Sequence, residues 1–221
     1  MARNLNISIG EFYHIYNRGN DKREIFLCET DYVRFQVLLY LCNDIKGIHI
    51  GDYKNSSISI KELLNLPREE TLVDIGAYCL MPNHFHLLVK EKIEGGTSLF
   101  MQKLSTAYTM YYNKKYNKTG SLFGGRFKAK HLDSDQYLKY QYSYIHLNPV
   151  SIIDDGWKNK KIIDTKKAKN FLMSYEYSSY KDYLGKDRKE GAVLNRGPFP
   201  EYFSNSTKFF EMIDEWLSFS N

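Results

Sequence analysis

In the run His84-Phe85-His86-Leu87-Leu88-Val89, histidine alternates with apolar residues. A strand sends successive side chains to opposite faces, so this run as a strand sets both imidazoles on one side and Phe85, Leu87 and Val89 on the other. Two imidazoles about 7 Å apart along a strand converge on one divalent ion when a third ligand comes from elsewhere. The plainer alternative is two unrelated histidines on a partly exposed strand. A second set of reactive side chains lies in Tyr144-Ile145-His146-Leu147-Asn148-Pro149. Tyr144 and Asn148 are four apart, hence one turn apart on one helical face. Together they offer a phenol as nucleophile and an amide oxygen as metal ligand. Tyr142 and His146 have the same offset, Tyr137 and Tyr140 precede them, and the chain holds 19 tyrosines. Spacing alone leaves the nucleophile open.

A third feature is electrostatic. Between Gly95 and Leu132 stand Lys103, Lys114, Lys115, Lys118, Arg126, Lys128 and Lys130, with no Asp or Glu. Tyr108, Tyr111, Tyr112, Tyr116, Phe123 and Phe127 are interleaved with them. Cations that neutralise phosphates beside rings that stack on unpaired bases make a surface for single-stranded nucleic acid. A solvated helix face with the rings in the core is the competing reading. The overall charge of +5 adds only weak support.

The elements that must position these residues follow from periodicity and punctuation. Phe12 to Asn17 reads as a strand, followed by a helix of about Asp31 to Asn43 with Thr30 as its cap. Val73 to Leu80 and His84 to Val89, joined by Met81-Pro82-Asn83, read as a hairpin. Thr97 or Ser98 caps a long helix to about Lys115, with Leu99, Leu104, Tyr108 and Tyr111 or Tyr112 inside. Glycines 120, 124 and 125 mark a loop before a strand from Arg126 to His131. Asp133 caps a last helix, Ser134 to Leu147, ended by Pro149. The order predicts an α+β fold, a ferredoxin-like antiparallel sheet with helices on one face and an extra helix after it. Residues 1–150 form the expected catalytic domain, with an insertion at 45–71 that contains Asn55-Ser56-Ser57 and a short helix near Ile60 to Leu66. Residues 151–221 are a basic connector, Lys158 to Lys169, and a Tyr-rich appendage.

At 221 residues the chain suits one main domain. Cys28, Cys42 and Cys79 lack metal-ligand spacing and suggest a reducing compartment. Neither a signal-type apolar core nor an apolar run near the roughly 20 residues of a membrane span is present, so a cytoplasmic protein with no membrane partner is expected.

These motifs together resemble a known family. Met81-Pro82-Asn83-His84-Phe85-His86-Leu87-Leu88-Val89 is similar to the HUH motif of single-tyrosine transposases. Gly125-Arg126-Phe127-Lys128, followed by Tyr144 to Val150, resembles the segment that bears their nucleophile. The subgroup it looks most like is the REP-associated tyrosine transposases. Tyr13-His14-Ile15-Tyr16-Asn17-Arg18-Gly19-Asn20 is similar to that group's opening strand and loop, and Tyr177-Ser178-Ser179-Tyr180 to its tail. The resemblance implies that His84, His86 and Asn148 bind Mg2+ or Mn2+. It also implies that Tyr144 attacks single-stranded, hairpin-bearing DNA to form a 5′-phosphotyrosine, and that the protein works as a homodimer. A catalytically silent DNA-binding relative and a nickase that initiates replication or transfer are the alternatives. The sequence departs from the group at Val150-Ser151-Ile152-Ile153, where Val-Arg-Ala-Gly is common, and in the length of the insertion.

Overall fold

The computed structural model describes residues 7–47, 50–53, 59–154, 156–157, 164–202 and 205–218. Asn55-Ser56-Ser57 and residues 158–163 of the basic connector lie outside them. Strands β1 (Phe12–Arg18), β2 (Val73–Met81), β3 (His84–Glu91) and β4 (Lys128–His131) form one sheet in the order β2-β3-β1-β4. Every neighbouring pair is antiparallel. With helices α1 (Glu29–Leu41) and α2 (Gly96–Tyr116) this is the expected ferredoxin-like arrangement.

Alternation sorts each strand's side chains between two cores. Tyr13 and Ile15 of β1 and Phe85, Leu87 and Val89 of β3 pack with Phe35 of α1 and with Phe100, Leu104 and Tyr108 of α2. In β2 the alternation is broken by a bulge between Ile75 and Ala77, which lets Ile75 and Tyr78 share that same core. Gly76 lies in the bulge, where a Cβ would come within 2.7 Å of the Phe199 ring. The opposite face carries Ala77, Cys79, Met81 and Leu88, covered by helix α3 (Asp135–Leu147) through Leu138, Tyr142 and Ile145. Helices α4 (Thr165–Ser174), α5 (Tyr180–Tyr183) and α6 (Ser206–Ser218) add Leu172, Tyr180, Tyr183 and Phe209 to that second core. The appendage is thus a second layer of the same body. It also covers the edge strand: Leu80 N donates to Tyr177 O, Ser179 N to Tyr78 O and Asn195 N to Ile75 O, each at 2.9 Å.

Three helix starts differ from expectation. α1 begins at Glu29 because the Asp31 carboxylate reaches back to the amides of Leu27 (2.8 Å) and Cys28 (3.2 Å), which leaves Thr30 inside the helix. α2 begins at Gly96 after Gly95 in the left-handed region, and Thr97 N donates instead to Glu91 Oε2 at 2.9 Å. α3 is capped by Ser134, whose hydroxyl accepts from Tyr137 N, so Asp133 stands outside it. On α2 the inner stripe is Phe100, Met101, Leu104, Tyr108 and Tyr112, with Leu99 exposed. In the insertion, Ile60–Asn65 forms a 3-10 helix that buries Leu63 and Leu64 in the first core.

Candidate active site

Residues directly opposed in an antiparallel pair project to the same side. β1 and β3 oppose Tyr16 to His86 and Arg18 to His84, and β1 and β4 oppose His14 to Lys130 and Tyr16 to Lys128. One end of the sheet therefore presents His14, Tyr16, His84, His86, Lys128 and Lys130 on the face away from α1 and α2. The His84 and His86 rings lie 4.9 Å apart at right angles. Both are oriented through Nδ1. His84 Nδ1 lies 2.7 Å from Asn83 Oδ1, and His86 Nδ1 lies 2.8 Å from His14 Nε2. Burial, with Lys130 nearby, pushes the His14 pKa down to about 3, so this ring is neutral. Which of the two nitrogens carries the shared hydrogen depends on the tautomers, and a metal on His86 Nε2 requires His86 Nδ1–H to donate to His14 Nε2. A metal would be bound through Nε2 of both ligand histidines, with the Nδ1 bonds setting their tautomers.

Helix α3 brings Tyr144 down onto this face. Its ring meets His86 edge-on at 5.5 Å and His14 at 5.9 Å, with Trp157 at 5.8 Å. Burial raises the phenol's pKa, opposed by the Asn148 amide beside it. Asn148 closes the helix just before Pro149 and is fully buried. Neither its Oδ1 nor its Nδ2 completes a hydrogen bond. A buried amide in that condition costs free energy unless a ligand meets it. Among the described residues no trio of His, Cys, Asp or Glu is grouped to hold a metal. The expected donors, the two imidazoles and the Asn148 amide oxygen, would make a mixed nitrogen and oxygen set suited to Mg2+ or Mn2+.

The other tyrosines are disposed differently. Tyr142 packs among Tyr183, Phe199 and Tyr202, and burial drives its phenol pKa far up. His146 is fully buried, with Nδ1 on Tyr142 O at 2.9 Å and Nε2 on Ser179 Oγ at 2.7 Å. It is a satisfied core histidine, kept neutral by burial. Tyr137 lies under Lys130, whose Nζ is 4.6 Å from the ring centroid, and Tyr140 faces solvent.

The basic stretch divides between two sides of the sheet. Lys128 and Lys130 share the histidine face, and Arg126 is exposed in the loop before β4. The lysines of α2 and its end lie on the other side. Lys115 pairs with the buried Asp31 at 2.6 Å, Lys103 donates to Ile45 O at 3.1 Å, and Lys114 and Lys118 are exposed. Of the interleaved rings, Tyr108, Tyr112 and Phe123 are core, while Tyr111 and Tyr116 donate to Asp31. Sequence reasoning overlooked His14. Its signal, a histidine alternating with apolar neighbours in β1, gains meaning only from the β1–β3 register.

Comparison with known proteins adds two likenesses. The family described as IS200-like transposase matches residues 52–148, a span that includes His84, His86, Tyr144 and Asn148. A solved structure of a REP-associated tyrosine transposase bound to a REP hairpin aligns with 93% of this chain and 91% of its own, at 13% identity and a TM-score of 0.49. No curated protein matches the chain.

Proposed function

The chain is similar to IS200-like transposases over residues 52–148, and on that footing we propose that it cuts and rejoins single-stranded, hairpin-bearing DNA with Tyr144 as nucleophile. The observation that carries this reading is the edge-on seat of Tyr144 against His86, one helical turn before the fully buried amide of Asn148. A phenol of ordinary pKa near 10 is a weak nucleophile at neutral pH, and burial here makes it weaker. A divalent cation, Mg2+ or Mn2+, held by His84, His86 and Asn148 would offset this by stabilising the charge that builds on the phosphate during displacement.

In this reading Tyr144 Oη bonds to phosphorus while the bond from phosphorus to the 3′-oxygen breaks. The phenol proton ends on that oxygen, leaving a 5′-phosphotyrosine and a 3′-hydroxyl. One phosphodiester replaces another, so the step is close to reversible and needs no nucleotide triphosphate. His14 holds the His86 ring, and Lys128 and Lys130 receive flanking phosphates. The test is incubation of labelled single-stranded hairpins with Mn2+, followed by a denaturing gel. Tyr144→Phe should lose the covalent adduct and Tyr142→Phe should keep it. The opposite pattern overturns the assignment.

A further inference from the structure

One turn before Tyr144, Tyr140 is 42% exposed, a large fraction for an aromatic ring. Its ring lies nearly parallel to that of Tyr144, with centroids 6.3 Å apart and planes 17° apart. It also meets Trp216 of α6, with centroids 5.2 Å apart and the planes inclined by 56°. The two inclined rings are walls of an open notch of about 280 Å³ between α3 and α6. Lys139 and Glu215 also line the notch with opposite charges. The buried Ser143 hydroxyl is directed at Met212 Sδ, 3.1 Å away.

We infer that Tyr140 and Trp216 form a stacking platform for one unpaired DNA base near the phosphate attacked by Tyr144. The inference rests on the proposed function and extends it to how the strand is held. Three features select the occupant. Two of the lining residues are aromatic, Tyr140 with much of its surface exposed, and aromatic rings suit the flat face of a base of any identity. The opposed charges of Lys139 and Glu215 give a phosphate no net attraction, whereas Lys128 and Lys130 supply that attraction on the neighbouring sheet face. The notch also adjoins the nucleophile by a single helical turn, so a strand whose phosphate reaches Tyr144 has its next bases within reach of Tyr140. A base inside a duplex is already stacked on both sides, so the platform selects an unpaired one. The inference assigns a role to the appendage: α6 delivers the second wall.

The test separates binding from cutting by working in the Tyr144→Phe background. The probes are a twenty-nucleotide oligothymidylate and an abasic oligomer of equal length, followed by fluorescence anisotropy. The parent should bind the thymidylate more tightly than the abasic strand. Tyr140→Ala should weaken thymidylate binding about tenfold and leave abasic binding unchanged, and Tyr140→Phe should restore it. Trp216→Phe should retain most of the affinity, and a melting curve for each variant checks that the fold persists. Thymidylate binding that survives Tyr140→Ala, or an equal loss on both probes, overturns the platform and leaves the proposed cutting reaction standing. A parent that binds neither strand, or both equally, also overturns the platform, while the cutting reaction is judged by its own assay on hairpins.

Discussion

The metal-binding role proposed for His86 would draw in its neighbour His14. Its 2.8 Å bond and stacked ring, 5.0 Å from that of His86, hold the imidazole in one orientation. Groups that orient a metal's ligands in this way are commonly worth 10- to 100-fold in affinity. His14→Phe keeps a ring of similar size and removes the acceptor. It should weaken Mn2+ binding by about 10-fold or more, read by titration calorimetry, with little change in melting temperature. Unaltered Mn2+ affinity would show that His14 only packs.

At the scale of elements, β4 is the strand that would link DNA binding to the proposed reaction. It is short, it lies at the sheet edge, and its pairing with β1 turns Lys128 and Lys130 toward His14 and Tyr16. Replacing Arg126, Lys128 and Lys130 together with Ala removes up to three phosphate contacts. The slope of log affinity against log salt for single-stranded DNA should flatten by about 2. Lys115, pinned to Asp31 on the far side, serves as the control, and Lys115→Ala should leave the slope unchanged. Equal slopes in the triple variant and the parent would mean that these cations do not meet the backbone.

For the whole molecule, the decisive relation is that between the sheet and everything after Pro149. Leu172, Tyr175, Tyr180, Tyr183 and Phe209 are all buried in the core shared with α3. At about 2 kcal/mol each, their burial is on the order of the entire net stability of a domain. The same segment pairs with the exposed edge of β2. A chain ended at residue 157 should therefore lose its cooperative thermal transition by circular dichroism and associate in light scattering. A cooperative melt within a few degrees of the full chain would make the appendage an independent addition.

The sequence by itself determined what is local. Alternation put His84 and His86 on one side of a strand, helical spacing put Asn148 one turn after Tyr144, and the order of elements predicted the four-stranded antiparallel sheet. Each of these follows from the periods of the backbone, which need no knowledge of distant neighbours. Tyr142 and Tyr144 are only two residues apart, yet roughly 200° apart around the helix. Which one meets the histidines depends on how α3 docks, and that is decided by Tyr183, Phe199 and Tyr202 enclosing Tyr142. The run of lysines looked like one surface because sequence order hides the two sides of a sheet. Only tertiary pairing separated Lys128 and Lys130 from Lys103 and Lys115, and only the β1–β3 register joined His14 to His86 across 72 residues of chain. A contact between residues that far apart leaves no periodic trace in either segment, because it is selected by packing of the whole.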